Sequence, residues 1–322
     1  MKILHDGQDS VPGGVATAVS VGAYDGIHLG HRKVLSTLSD LAADRDLAPA
    51  VVTFDQHPAA VVRPESAPLL LTDPGQRMEL FADIGIEFLY LLHFDEQRAQ
   101  TSSRDFVADV LVSRLNAKLI VVGSNFHFGQ GRSGSVDVLT ELGNEMGFEV
   151  VGLDLFTEGD AVEPTSSTAI RRALAAGDID AVNAMLGRPY EVRGEVVQGD
   201  QRGRTIGFPT ANIVFEDGRA WPATGVYAAR VTLPDGRRND AVVNIGVRPT
   251  FHQHAEHPLL EAHLLDFDED LYDQHISVEF VGFVRSERRF AGIDEIAAQI
   301  KKDVESAREQ LAADSTAERK GA

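Results

Sequence analysis

The run Val15-Ala-Thr-Ala-Val-Ser-Val21 passes directly into Gly22-Ala-Tyr-Asp-Gly-Ile-His28-Leu-Gly-His31, and the reading of this stretch decides the fold. The apolar run reads as a buried strand, and the glycine-punctuated segment after it reads as a turn. A helical pattern follows, because Leu29, Val34, Leu35, Leu38 and Leu41 can share one face. Two imidazoles three residues apart therefore stand where a strand hands over to a helix N-terminus, a place suited to anions. Gly22, Gly26 and Gly30 permit close backbone approach and unusual dihedrals. The chemistry implied is stabilisation of negative charge on a nucleotide phosphate. A zinc site would need at least a third protein ligand, and no nearby Cys or His-Glu partner completes a recognisable spacing.

Outward from this stretch the first half alternates. Segments 50–55, 87–95, 117–123 and 148–156 read as strands, and 104–115 and 135–146 as helices. That alternation predicts a parallel sheet with helices on both faces, whose ligands gather at the carboxyl ends of the strands. Thr53-Phe-Asp-Gln-His57-Pro58 and the glycine-rich loop Gly123 to Gly134 fall at such ends. Ser167 and Thr168 open a helix over 166–176 with Arg171 close behind. Hydroxyls there can cap the helix or, with the exposed amides, cradle a pyrophosphate to which Arg171 adds charge.

The 322 residues suit two domains, each able to bury a core. The absence of cysteine excludes disulfides, thiolate metal sites and cysteine nucleophiles. The start MKILHDGQDS lacks the apolar core of a signal peptide, and no stretch reaches membrane-spanning length, so a cytoplasmic protein is expected. With 30 Lys plus Arg against 49 Asp plus Glu, the net charge of −19 repels nucleic acid and anionic membranes over most of the surface. Small anionic substrates remain compatible with a locally positive pocket, and self-association is left open.

A second domain begins after Gly187-Arg-Pro189, where two helices over 166–176 and 179–186 end. The expected division is 1–187, 188–313 and a disordered tail over 314–322. Short strands over 191–198, 225–233, 240–247, 259–267 and 276–284, separated by turns, predict a small closed antiparallel barrel with a final helix over 293–311. Within it, Gly199 to Asn212 is glycine-rich but not a Walker loop. Thr210 and Asn212 alternate on an extended segment, so a hydroxyl and an amide oxygen share a face as hard ligands for magnesium bound to ATP. Glu261 and His263 likewise share one strand face opposite Ala262 and Leu264. A carboxylate on a mostly apolar strand is a candidate general base.

Taken in order, GxYDGxHxGH, TFxxHP, VVGxxFxFG and SSTxIR resemble the N-terminal module of the bacterial bifunctional riboflavin kinase/FMN adenylyltransferase family. GFPTAN, GVYA, NIGxRPTF and ExHLLDFxxDLY resemble its riboflavin kinase module. The resemblance covers about residues 15 to 312. It implies a nucleotidyltransferase domain followed by a kinase barrel. It implies ATP-dependent phosphorylation of riboflavin to FMN, then adenylylation of FMN to FAD with loss of pyrophosphate. By the same resemblance His28, His31, Gly22, Asp25, Ser167, Thr168 and Arg171 serve ATP in the first site, and Asn125 lies by the flavin. Gly203, Arg204, Gly207, Thr210 and Asn212 serve ATP and Mg2+ in the second, and Glu261 takes the proton of the ribityl 5′-hydroxyl. Tyr24 stands where phenylalanine is usual, and His127 where arginine is usual. The competing reading is a riboflavin kinase whose first domain is inactive; the retained His28, His31 and SSTxIR argue against it. An aminoacyl-tRNA ligase would need a basic surface and a KMSKS-like loop, and neither is visible. A flavin-binding sensor would not need Glu261.

Overall fold

The computed structural model describes residues 1–154, 165–199, 203, 206–248 and 257–321, the backbone alone at 247, 248, 257, 258 and 316–321. The chain divides into two compact units, Met1–Ser167 and Thr168–Ala322.

The first unit is a six-stranded parallel sheet in the order β1-β4-β3-β2-β5-β6. Its strands are β1 (Lys2–His5), β2 (Thr17–Val21), β3 (Ala48–Phe54), β4 (Phe88–Leu92), β5 (Ala117–Gly123) and β6 (Glu149–Leu153). Both faces are covered, which is why the strands read as continuous apolar runs. Val19, Val21, Val52, Tyr90, Ile120 and Val122 pack on one side with Phe106, Val110 and Leu111. The alternate residues Ala18, Val51, Leu89, Leu119 and Val121 pack on the other with Leu35, Leu38 and Phe81. Helix α1 (Leu29–Asp44) follows β2, as the sequence predicts. Two short helices, α2 (Pro58–Val62) and α3 (Pro74–Asp83), lie between β3 and β4. Helix α4 (Glu96–Ala99) follows β4. The helix expected over 104–115 is α5 (Ser103–Phe106) running on into a π-helical stretch, Val107–Arg114. Helix α6 (Val136–Met146) packs beside it. Strand β1 escapes the sequence pattern because only Leu4 of its four residues is buried.

The second unit opens with α7 (Ser167–Ala176, whose first residue closes the first unit) and α8 (Ile179–Leu186). A closed antiparallel barrel follows in the order β10-β11-β8-β7-β12-β9. Its strands are β7 (Tyr190–Val197), β8 (Ala211–Val214), β9 (Gly225–Thr232), β10 (Arg238–Arg248), β11 (His257–Leu264) and β12 (His275–Arg285), and α9 (Ile293–Gly321) closes the chain. Closure leaves no unpaired sheet edge.

Two expectations change. The sequence places a boundary after Gly187, yet the chain packs α7 and α8 with the barrel. Asn183 of α8 accepts from the Tyr190 amide at 2.8 Å and donates to the Phe280 carbonyl at 2.9 Å. The Ala223 amide donates to the Leu174 carbonyl of α7 at 2.9 Å. The Gly-Xaa-Pro stop ends a helix without ending the packing. The tail expected to be disordered from 314 is helical through Gly321. Its anchor is Arg230, buried on β9, which donates to Asp314 at 2.5 Å, the Leu311 carbonyl at 3.0 Å and Ser315 at 2.7 Å. No sequence periodicity announces a clamp supplied from 81 or more residues away.

A fragment 168–322 is expected to be more stable than a fragment 188–322. Deleting α8 strips the cover from the barrel side where Ile179, Val182 and Leu186 are buried, worth about 1.5–3 kcal/mol for each side chain. Urea denaturation of both fragments measures this; equal midpoints would contradict it.

Candidate functional sites

In the first sheet, β3 and β4 lie to one side of β2, and β5 and β6 to the other. The loops after β2 and β5 therefore flank the topological switch point, where such sheets bind ligands. The turn after β2 is strained: Tyr24 and Ile27 have φ of 49° and 37°, and Gly26 has 85°. Side chains other than glycine persist in that region only when neighbours hold them. Asp25 does this. It is 3% exposed, and its carboxylate accepts from the Leu71 amide at 2.9 Å, the Thr72 amide at 3.1 Å and the Thr72 hydroxyl at 3.3 Å. The Gly26 amide in turn donates to the Thr72 hydroxyl at 3.2 Å.

The turn delivers His28 as the N-cap of α1. His28 is 5% exposed, and its Nδ1 accepts from the His31 amide at 3.3 Å. Accepting at Nδ1 places the proton of the neutral ring on Nε2. The His31 ring stacks on that of His28, with centroids 3.7 Å apart and planes 19° apart. A side chain at Gly30 would put its Cβ 3.2 Å from the His28 ring, so glycine spares the stacked pair a tight contact. Burial, and second the charge of His28, hold the His31 pKa well below its ordinary value. The pair is therefore neutral at His31 near pH 7, with a buried Nδ1 that has no partner among the described residues. A buried polar atom without a protein partner suits a ligand or water.

Two residues expected to meet phosphate have other work. The Gly22 amide donates to the Val52 carbonyl at 3.0 Å, and a Cβ there would press on the Tyr24 ring at 3.0 Å. Gly22 and Asp25 thus shape the turn. Tyr24 keeps its hydroxyl satisfied against Ser20 at 2.5 Å, which explains why a tyrosine fits the usual phenylalanine position. Burial raises its pKa. Ser167, the last residue of the first unit, donates to the Asp25 carbonyl at 2.9 Å. Thr168 and Arg171 follow on α7, within the second unit. Asn125 is exposed in the loop after β5, and His127 Nδ1 donates to its carbonyl at 2.9 Å.

One residue that sequence reasoning missed is Arg77. It donates to the Ala23 carbonyl at 3.2 Å and the Phe54 carbonyl at 3.0 Å, joining the turn after β2 to the end of β3. The signal for its helix was present: Asp73-Pro-Gly-Gln76 forms a capping box, with Asp73 accepting from the Gln76 amide and the Gln76 side chain from the Asp73 amide.

In the barrel, register brings three polar residues into one row. Glu261 on β11 is opposite Asn212 on β8 and Asn244 on β10. They alternate with Ile213, Leu260 and Ile245, each about 1% exposed, so the row lies on the outer face. Asn212 is nevertheless 5% exposed, because the Gly199 backbone covers it: a Cβ on Gly199 would fall on the Asn212 amide. The Asn212 Oδ1 is buried without a partner among the described residues. Thr210 is exposed just before β8. His263 Nδ1 donates to the Pro209 carbonyl at 2.8 Å, which holds the Thr210 segment against β11. Gly203 accepts through its carbonyl from the Ile206 and Phe208 amides, and Gly207 has φ +83°, so both shape the loop. Arg204 lies outside the described residues. The orphaned Asn212 amide oxygen and the exposed Thr210 hydroxyl are hard-oxygen groups of the kind that fits magnesium carried with ATP. Among the described residues no cluster of three or more His, Cys, Asp or Glu side chains could hold a metal unaided.

Because His31 is harder to protonate folded than unfolded, its contribution to stability is complete above pH ~6.5 and is lost as pH falls below that value. Calorimetric melting of the full chain between pH 8 and 5.5 should show a shallower acid loss for His31→Asn than for the wild type. Parallel slopes would contradict the buried neutral ring.

The FAD synthetase family model matches residues 14–169, and the riboflavin kinase model matches residues 186–311. The Escherichia coli (strain K12) protein named bifunctional riboflavin kinase/FMN adenylyltransferase is 38% identical over 291 residues, 90% of this chain and 91% of its own. The Bacillus subtilis (strain 168) protein of the same name is 37% identical over 294 residues, again 90% and 91%. A crystal structure of a Streptococcus pneumoniae protein described as a macrolide-efflux protein aligns with TM-score 0.84 and 31% identity over 95% of this chain and 98% of that one. No described helix of this chain is long and apolar enough to cross a membrane. With both modules matched in order and relatives similar over nine-tenths of its length, this chain belongs to the bifunctional riboflavin kinase/FMN adenylyltransferase family.

Proposed function

We propose that the barrel phosphorylates riboflavin at Glu261 and that the first unit adenylylates the product at His28 and His31. The chain is a bifunctional enzyme of FAD synthesis: riboflavin and ATP give FMN and ADP, then FMN and ATP give FAD and pyrophosphate. The observation that carries the division of labour is a difference in chemistry between the two sites. The barrel row offers a carboxylate, whereas the cleft of the first unit offers stacked imidazoles.

The primary hydroxyl of riboflavin must lose a proton as its oxygen attacks the γ-phosphorus of ATP. Glu261 takes that proton, and ADP leaves. Thr210 and Asn212 would hold Mg2+, which offsets phosphate charge when bound. His263 keeps its Nδ1 proton on the Pro209 carbonyl and serves as an anchor.

FMN already carries an anionic phosphate, so its attack on the α-phosphorus of ATP needs no general base. The bond to pyrophosphate breaks as the new oxygen–phosphorus bond forms, and charge accumulates on the α-phosphoryl oxygens. Catalysis then rests on alignment and on preset donors. His28 donates from Nε2, and a neutral His31 gains proton affinity once phosphate replaces water beside it. Ser167, Thr168 and Arg171 hold the triphosphate, and Asn125 meets the flavin side. Asp25 and Gly22 act by holding the turn. We further assign the chain to the cytoplasm, without nucleic-acid or membrane partners, in keeping with its −19 charge; self-association is left to measurement.

With purified chain, riboflavin and Mg-ATP, chromatography should resolve FMN and then FAD. Replacing His28 or His31 by Ala removes a donor to developing charge and should lower FAD formation by about 10²–10³ while FMN accumulates. Unchanged FAD formation would refute the imidazole assignment. Glu261→Gln keeps shape without the base, so riboflavin phosphorylation should fall by about 10²–10⁴. Adenylylation of supplied FMN should be unaffected, and near-normal phosphorylation would move the proton acceptor elsewhere.

A further inference from the structure

The turn that carries the two imidazoles is strained, and the core grips it through Tyr24 and Ile27, which are buried with Leu35, Leu38 and Phe81. Packing between α1, α3 and the sheet runs through Leu35, Leu38, Phe81 and Ile86. At Ala23 the turn is held by polar contacts as well. Ala23, two residues past the end of β2, points its carbonyl at the Arg77 guanidinium, which also reaches the carbonyl of Phe54, the last residue of β3. Thr53 adds a weaker donation to the Ala23 carbonyl at 3.3 Å.

We propose that Arg77 is a positioning residue for adenylyl transfer, locking the His28–His31 turn to the carboxyl end of β3 through the Ala23 and Phe54 carbonyls. The two carbonyls are 31 residues apart in sequence, one in the loop after β2 and one on the last residue of β3, which pairs with Leu92 of β4. One planar guanidinium presents N–H groups to both at fixed angles; a lysine ammonium has no such fork. The capping box at Asp73 fixes the start of α3, so the arginine is aimed from a rigid element. The same helix approach brings the Leu71 and Thr72 amides to Asp25, and the segment 71–77 therefore grips the turn at three points. Burial lowers the Arg77 pKa, while Asp25, Asp55 and Asp73 act to raise it. A partly buried cation spent on two backbone carbonyls costs solvation, which fits a site that needs exact placement of a turn.

The proposal rests on the assignment of adenylyl transfer to His28 and His31. The test uses the full chain, comparing wild type with Arg77→Lys, Arg77→Ala and, as a separate arm, His28→Ala. Adenylylation of FMN and phosphorylation of riboflavin are measured on each sample, with calorimetric melting. Displacing a catalytic turn by about an ångström can cost about 10²-fold, so Arg77→Ala should lose roughly 10–10² in kcat for adenylylation. The KM for FMN and riboflavin phosphorylation should stay near wild type. Arg77→Lys should recover part of the loss. Guanidinium ion added to Arg77→Ala at non-denaturing concentration should restore kcat, and methylammonium should not. A normally melting Arg77→Ala with wild-type adenylylation overturns the proposal, provided His28→Ala is inactive. If His28→Ala is also active, the site assignment itself has failed. Loss of the first-unit melting transition in both Arg77 variants, with no rescue by guanidinium, makes Arg77 purely structural and likewise overturns it.

Discussion

The first unit depends on one carboxylate. Asp25 sits at the tip of a turn in which Tyr24 and Ile27 have positive φ, a conformation that costs free energy for residues with a Cβ. Its oxygens gather the Leu71 and Thr72 amides, and that gathering compensates the strain. Together with the buried Tyr24 and Ile27 and the Arg77 contact to the Ala23 carbonyl, it places His28 at the N-cap of α1, where His31 stacks on it. The buried carboxylate is thus spent on geometry, and the geometry in turn makes a pair of donors at the switch point of the sheet. The site is built from the backbone outward, with packing, strain and charge all serving a seven-residue turn.

The barrel solves a different problem by register. Antiparallel pairing sets Asn212, Glu261 and Asn244 side by side from three strands, a precision that a loop could not hold. Burial of the alternate residues prevents a slip, because moving any strand by one residue would turn the polar row inward. Asn244 enters this row only through register. It opens the NIGxRPTF motif, but only pairing shows that it is the cross-strand neighbour of Glu261 on that side.

The long C-terminal helix shows how buried charge can be used for attachment. Arg230 ties β9 to the far part of α9, and Arg285 grips Asp303 with a two-pronged pair at 2.9 and 2.8 Å. Asp303 is 3% exposed, so this contact is shielded from water where ion pairs retain strength. Apolar contact from Ala307 and Leu311 completes the seam. Helix α9 is therefore part of the barrel unit well beyond the point where its hydrophobic pattern fades.

The sequence by itself determined a great deal here. Apolar runs of strand length, alternating with helical patterns, were enough for the parallel sheet, and the later run of short strands was enough for the barrel, because periodic burial is written locally. His28, His31, Thr210, Asn212 and Glu261 could likewise be singled out as candidates from residue type and spacing along the chain. Strand β1 was missed because an edge strand buries too little to leave a pattern, and the helical end of α9 because Arg230 holds it from another strand. Only the tertiary structure decided that Gly22 and Asp25 shape the turn, that α7 and α8 pack with the barrel, that Arg77 reaches the Ala23 and Phe54 carbonyls, and that Asn244 stands beside Glu261. Each of those roles depends on backbone carbonyls, amides or cross-strand neighbours brought together from distant segments. A sequence specifies such partners only through the fold, since hydrogen-bond direction and register have no meaning until the strands have paired.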